Sequence, residues 1–363
     1  MYELSKHRLS TVLLLCSCDQ NTGGNMGIKI IKNNKLWIED SAIQHLEKIS
    51  TLDGVVDIVG LPDLHDGKVP VGTTIKVKDK VYPYLIGNDI GCGMSLFHTH
   101  VKLKKLNMKN LIKRLENTKI QGKFSIGGGN HFAELQQIEK IYHQEDANQL
   151  YLDKKFLYVL VHSGSRNIGE RIYRQYASKN VLEKDTQEMK YYLNKHQKAI
   201  EFAIENRVQI ADLLMEKTKL KYNNDMIIDC IHNYIEIDNH DYYHHKGSVS
   251  SWNQFVIIAG SRGTYSYIVK CIPKEETLYS LSHGAGRKWP RYLCKGRLVG
   301  KYSHIDDLKT TTMNGKVITN QKELLYEEAS EAYKNIDDVI HILLEYGCIE
   351  LVARLKPMVT YKC

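Results

Sequence analysis

Eight short polar loops, most of them directly after an apolar run and most containing glycine, constrain this chain more than any other feature. They read PDLHDG (62–67), GNDIGCGM (87–94), GGGNHFAE (127–134), VHSGSR (161–166), IHNYIE (231–236), HHKGS (244–248), AGSRGTYS (259–266) and SHGAGR (282–287). A strand that ends in a polar loop is where a rigid scaffold places chemistry. Glycine beside His, Asp or Cys removes the Cβ and lets a phosphate or a metal approach backbone amides. Any one of these strings arises readily by chance, and a single His after an apolar strand is more often a hydrogen-bonded core residue.

The chain between the loops predicts one compact α/β or α+β domain over residues 26–363. From Ile28 to about His100, apolar runs (VVDIVG, TTIKVKD, VYPYLIG) broken by Gly, Pro and Asp read as strands in tight connection. A helix with Ala42, Leu46 and Ile49 on one face interrupts them. A Lys-rich surface helix is expected around 101–121, with Leu103, Leu106, Leu111 and Leu115 on its apolar side. FLYVLVHSGSR reads as a buried strand ending in a polar loop, and 183–222 as one or two long scaffold helices. FVIIAG and SYIVK have strand character, 327–344 is expected to be helical, and IELVARLKPMVTYK extended.

Composition agrees with a folded chain. Of 363 residues 42% are hydrophobic and 25% charged, which excludes a disordered or collagen-like protein, and 6 prolines against 25 glycines leave no Pro-rich linker. A formal charge of +8 biases the chain mildly toward a polyanion, as in many ordinary enzymes. Eight cysteines without CxxC spacing indicate neither a zinc cluster nor a disulfide framework, and fit a reducing cytoplasm. The opening MYELSKHRLSTVLLLCSCDQ imitates a signal peptide, but its apolar run is short, so residues 1–25 are read as a dispensable extension before Met26. No apolar stretch approaches the ~18 residues needed to span a bilayer.

Chemical type singles out five residues. Asp89 and Cys92 stand three apart in one glycine-flanked loop, while His131, His162 and His232 each occupy a separate loop. A carboxylate, imidazoles and one thiolate suit a borderline transition ion, and a thiolate can bridge two such ions. The alternative for Cys92 alone is a small buried residue in a tight turn.

In this order, PDLHDGKVPVGT, YPYLIGNDIGCGM, GGGNHFAEL, VHSGSR, HN, HHKG and SHGAGR resemble the RtcB family of GTP- and manganese-dependent RNA ligases, from about residue 28 to the C-terminus. WIEDSAIQ, LPDLH and YPYLIGNDIGCGM are most similar to the branch described as release-factor-H-coupled RtcB proteins. The resemblance implies a single domain with mixed or antiparallel sheets, active-site loops at strand ends and a long helical insertion. It implies two manganese ions bridged by Cys92, with His162 and His232 on one and Asp89 and His131 on the other. His283 would be the nucleophile that takes up GMP, and Asp63 would hold its imidazole in the reactive tautomer. Asn130, Phe132, Glu134, Ser261, Ser266, Ala285, Gly286, Tyr333 (expected on a helix) and Lys362 would line the guanosine pocket, where Glu134 suits the N–H edge of guanine. Arg166, Lys246, Arg262 and Arg287 are the candidates for holding RNA phosphate.

The chain also departs from the family pattern. Members often read HRKG where this chain has His244-His245-Lys246-Gly247, so an Arg that could meet RNA phosphate is His245 here, which predicts weaker or pH-dependent RNA affinity. Arg262 follows Ser261 where Met is frequent, Asp66 adds an acid near the nucleophile, and Cys363 replaces a final glycine. The implied reaction joins an RNA 2′,3′-cyclic phosphate or 3′-phosphate end to a 5′-hydroxyl through histidine–GMP and a 3′-guanylylated RNA, in tRNA splicing or RNA repair. The implied partners are those RNA ends, a release-factor-like protein and an activating protein. Two other readings compete: a metal-dependent cyclic phosphodiesterase, which needs no His283, and a non-catalytic RNA-binding partner of a release-factor-like protein.

Overall fold

Strands carry most of the framework, in two sheets that differ in size and pairing. The computed structural model describes residues 27–120, 122–178 and 181–362, and the expected extension at 1–25 lies outside them. The larger sheet runs, in spatial order, through Phe255–Ile258, Ser266–Cys271, Ile349–Tyr361, Phe132–Ile141, Phe156–Ser163, Gly93–Lys102 and Asp225–Ile231, each antiparallel to its neighbours. The short strand Lys316–Ile318 adds a parallel pairing to Ile349–Tyr361. In the smaller sheet Gly27–Ile30 lies parallel to Val55–His65, and Val71–Lys78, Asp241–Lys246 and Asn233–Asp238 follow antiparallel. Mixed pairing and sheet-end loops are therefore as expected.

FLYVLV reads as an unbroken apolar run because the strand it forms is covered on both faces. Leu157, Val159 and Val161 pack with Ile210, Ala211, Leu214 and Met215 of the long helix Gln187–Thr218. Tyr158 and Leu160 join Val256, Ile258 and Leu281 on the other side. Burial of each such aliphatic side chain contributes roughly 1.5–3 kcal/mol. The long helix is started by Thr186, whose hydroxyl accepts the Met189 N–H, and stopped by Lys219 in the left-handed conformation.

The two sheets meet at a seam. His232 is the single residue between strand Asp225–Ile231 of the larger sheet and strand Asn233–Asp238 of the smaller. A two-stranded ladder, Ser248–Ser250 with Ser280–Ser282, touches Val55–His65, Val71–Lys78 and Asp225–Ile231, and Thr74 donates to Ser280 Oγ at 2.9 Å within it.

The helix with Ala42, Leu46 and Ile49 inward is Asp40–Ser50, and IELVARLKPMVTYK is extended as read. Other expectations need correction. VYPYLIG is strand only at Lys80–Val81; Pro83, at a first helical position that suits its fixed φ, opens the 3-10 turn Pro83–Ile86. The Lys-rich helix is Met108–Glu116, because the Asn107 side chain caps it by accepting the Asn110 N–H; Leu103 and Leu106 precede it. The helical tail breaks into Lys322–Glu327, a 3-10 turn Ser330–Ala332, and Ile336–Glu345, which Asn335 caps. Tyr333 accordingly lies on extended backbone, bridged to Arg287, and not on a helix.

Candidate active site

The strand register gathers the cluster. Gly93 pairs with both Ser163 and Ile231, and Phe132 pairs with His162. Cys92, His131 and His232, each one residue outside its strand, therefore come to one rim of the larger sheet with His162. Cys92 Sγ lies 3.2 Å from His131 Nε2 and 3.2 Å from His162 Nε2, and His162 Nε2 is 3.2 Å from His232 Nε2. Asp89 Oδ2 is 2.8 Å from His131 Nε2. Two triads result, Cys92–His162–His232 and Asp89–Cys92–His131, sharing the thiol.

The electrostatics suit cations. Burial drives the His162 and His232 imidazoles well below their ordinary range, and the neighbouring histidines add to this, so both offer lone pairs. Burial, with the charge of Asp89, pushes the Cys92 thiol well up, so the bare site holds a neutral thiol that a bound cation would deprotonate. Burial raises Asp89 as well, but the charge and hydrogen bond of His131, with Arg166 and Lys246, outweigh it and leave the carboxyl below its usual value. Converging imidazoles, a shared thiol and a carboxylate fit two borderline divalent ions. Gly164 permits the approach of Asp89, since a Cβ there would lie 2.2 Å from Asp89 Oδ1.

His283 follows the ladder strand Ser280–Ser282 at the seam and its ring centroid lies 4.7 Å from that of His232. Its Nδ1–H donates to Asp63 Oδ2 at 2.7 Å, on a carboxylate that is fully buried. Lys334 fixes the main chain around Asp63 by donating to Pro62 O at 3.2 Å and Leu64 O at 2.6 Å. Gly72, at φ +86°, leaves room for the carboxylate, since a Cβ would sit 2.7 Å from Asp63 Oδ1.

These groups share a cavity of about 400 Å³, also lined by Asn130, Phe132, Glu134, Ser261, Ala285, Gly286, Tyr333 and Lys362. Ser266 does not line it; its hydroxyl accepts the Gly260 N–H at 3.2 Å. At the end of the cavity bounded by strands Phe132–Ile141 and Ile349–Tyr361, Glu134 accepts from Thr360 Oγ1 at 2.6 Å and Gln136 Nε2 at 2.7 Å. Lys362 Nζ donates to His131 O at 2.7 Å. Burial raises the Glu134 carboxyl to about 7 and lowers the Lys362 ammonium to about 8.

The phosphate candidates divide. Arg166 Nη1 lies 3.1 Å from His131 Nδ1, and Lys246 lines the cavity beside the Cys92–Asp89 loop. Arg262 and Arg287 line the cavity as well, but are tied to internal partners: buried Arg262 donates from Nη2 to Leu325 O, and Arg287 donates to Glu328, Tyr333 and Glu327 O. His245 overturns the pH-dependence expectation. It is fully buried, stacked 4.5 Å from Tyr234 and bonded to Glu236 at 3.1 Å, because its strand sits inside the smaller sheet. Asp66 stays at the cavity rim, with Ser41 as a partner.

Sequence reading treated 183–222 as scaffold and missed Asn206 and Arg207. Arg207 is fully buried, grips Asp229 with Nε and Nη2, and donates through Nη1 to Gly91 O at 2.9 Å and Ser163 O at 3.0 Å, next to Cys92 and His162. Asn206 donates to Gly164 O at 3.1 Å and Ser163 Oγ at 3.0 Å. The available signal was a polar Asn-Arg pair at a position where the helix buries Ala203 and Ile210. Glu328, buried against Arg287, Arg291 and Tyr333, had no local signal.

The sequence model of the family described as tRNA-splicing ligase RtcB matches residues 45–123 and 118–363. RNA-splicing ligase RtcB2 of Escherichia coli is 39% identical over 361 residues, spanning 92% of this chain and 94% of that protein. The tRNA-splicing ligase RtcB of Nanoarchaeum equitans is 25% identical, spanning 93% of this chain and 95% of its own length. That of Thermococcus kodakarensis is 27% identical over 64% of this chain and 58% of its own. With the family matched along nearly the whole described chain and a relative at 39% identity, the chain belongs to the RtcB family.

Proposed function

We propose that this protein is a GTP-dependent RNA ligase that joins an RNA 3′-phosphate or 2′,3′-cyclic phosphate end to a 5′-hydroxyl. The observation that carries the reading is His283. Its Nδ1–H is committed to Asp63, which leaves the Nε2 lone pair free, and it stands in the same cavity as the Asp/Cys/His cluster. In this reading Nε2 bonds to the α-phosphorus of GTP as pyrophosphate leaves, and Asp63 stabilises the charge that develops on the imidazole. Glu134 and Lys362 hold the guanine edge. The RNA 3′-phosphate then takes the GMP from His283, and the 5′-hydroxyl displaces GMP to close the phosphodiester.

His162 and His232 would hold one divalent ion, Asp89 and His131 a second, and Cys92 both, with manganese suited to the set. When bound, such ions supply charge neutralisation at phosphate oxygens and a lowered pKa for a coordinated hydroxyl or water. The names of the relatives support RNA as substrate, in splicing or repair. WIEDSAIQ and LPDLH support a link to a release-factor-like protein, and the free buried thiols suit the cytoplasm.

The test is intact mass after incubation with GTP and manganese. The protein should gain one GMP, and His283→Ala should gain none while keeping its fold and metal. Joining by His283→Ala at near wild-type rate would move the GMP carrier elsewhere. Ring opening of a cyclic phosphate by wild type, with no adduct and no joining, would replace the ligase with a phosphodiesterase.

A further inference from the structure

Arg262 and Arg287 line the cavity but are tied to internal partners, so the surface that carries RNA to the cavity is sought along the chain that leads out of it. The segment 277–305 contains no Asp or Glu and six Lys or Arg residues. Its helix, Arg291–Leu298, buries Cys294 and Leu298 and turns Tyr292, Lys295, Gly296 and Arg297 outward. Arg291, at its start, lines the cavity and pairs with Glu327 and Glu328. The helix therefore leads from the cavity onto the surface.

Two features of the outer face have no use within the protein itself. Tyr292 is 82% exposed, the most exposed of the large apolar side chains among the described residues. Gly296 stands one turn from Tyr292 on the same face, and a Cβ there would meet nothing within 4 Å. Glycine inside a helix is destabilising, and no internal packing demands it here. Lys288 and Arg297 both lie 5.0 Å from the Trp289 ring centroid, which holds two exposed cations on one ring next to this helix.

We propose that Tyr292, Lys295, Gly296 and Arg297 form a track on which single-stranded RNA lies as its end enters the active site. A base stacks on Tyr292 over the flat spot at Gly296, and Lys295 and Arg297 meet the flanking phosphates, a combination that tolerates any sequence. At 1.5 Å per residue the helix is about 12 Å long, room for about three nucleotides at 3.4 Å. This rests on the ligase reading for its choice of polyanion.

The experiment uses the full chain with manganese and a labelled 5′-hydroxyl oligoribonucleotide. Anisotropy gives RNA affinity, and adduct formation with GTP alone is followed in parallel. Tyr292→Ala and Gly296→Leu should each weaken RNA binding roughly tenfold, and Lys295→Ala should lower the salt dependence by about one counterion. Adduct formation should not change. Gly296→Leu raises helix propensity, so its loss of affinity cannot come from unfolding. Wild-type RNA affinity in both Tyr292→Ala and Gly296→Leu overturns the track, as does binding of anionic phosphatidylserine vesicles, but not RNA, that these variants abolish. RNA binding that the variants weaken, in a protein that forms no GMP adduct, upholds the track and removes only the ligase reading.

Discussion

One carboxylate oxygen of Asp63 serves His283 twice: it accepts the Nδ1–H at 2.7 Å and the backbone N–H at 3.2 Å. Orientation and tautomer are thus fixed by a single atom. Asp63→Asn retains the shape but offers an amide that can donate where the carboxylate could only accept. We expect the rate of GMP-adduct formation to fall by about 10²–10⁴-fold with metal content unchanged. Single-turnover kinetics with labelled GTP check this, and a loss below tenfold would remove Asp63 from the reaction.

Cys92 is the only residue common to both triads. Cys92→Ser should therefore lower the metal content of chelator-washed protein below that of any single His→Ala variant among His131, His162 and His232. Plasma emission measures it. Full metal retention by Cys92→Ser would refute the shared-ligand arrangement.

If the end of the cavity with Glu134 and Lys362 takes guanine as proposed, it should show in pH dependence. Glu134, raised by burial to about 7, has to ionise to accept a base N–H, while Lys362, at about 8, is still charged there. GTP affinity should rise as pH increases through 7, so that KM at pH 6 is about tenfold above KM at pH 7.5. In the nucleotide-free protein the same group acts on stability: its contribution is complete below the unfolded-state carboxyl value and is lost as pH rises through about 7. Glu134→Gln should flatten both profiles.

Arg207 ties the loops of Cys92 and His162 to the long helix, and it is fully buried. Truncation leaves Asp229 with the Ser95 hydroxyl but no counter-charge and takes the guanidinium donor from two carbonyls, so Arg207→Ala should cost about 3–5 kcal/mol in urea unfolding. Arg207→Lys keeps the charge but cannot form the fork, and should fall between the two in both midpoint and metal retention. An unchanged midpoint in Arg207→Ala would show that the fork contributes nothing to stability.

Local signals in the chain revealed local things. The strand Phe156–Ser163 and the helix Asp40–Ser50 follow from apolar periodicity, and the loops that carry Asp89, Cys92, His131, His162 and His232 follow from glycine, or for His232 asparagine, beside ligand-type side chains. What periodicity cannot show is which polar residue faces inward. Arg262, Arg287 and His245 look like surface cations in sequence, yet each is held by partners tens of residues away: Leu325, Glu328 and Thr74. Arg207 looked like one more charge on a scaffold helix for the same reason. The start of the tail helix, expected at Glu327, falls at Ile336 because Asn335, a capping residue, acts through one side-chain bond that apolar spacing does not record.

The position of strand Ile349–Tyr361 separates the order of synthesis from the order of assembly. By the time a ribosome has passed Leu344 it has made His283, Asp63 and all five cluster residues. The strand that joins Ser266–Cys271 to Phe132–Ile141 is still missing. Until it inserts, both of those strands present open edges, and its partners in Phe132–Ile141, such as Ala133 for Tyr361, lie more than 200 residues back in the chain. Competence therefore arrives as one late event. A chain lacking that strand carries two unpaired edges, whereas its insertion closes the sheet and brings Thr360 and Lys362 to the cavity in the same step.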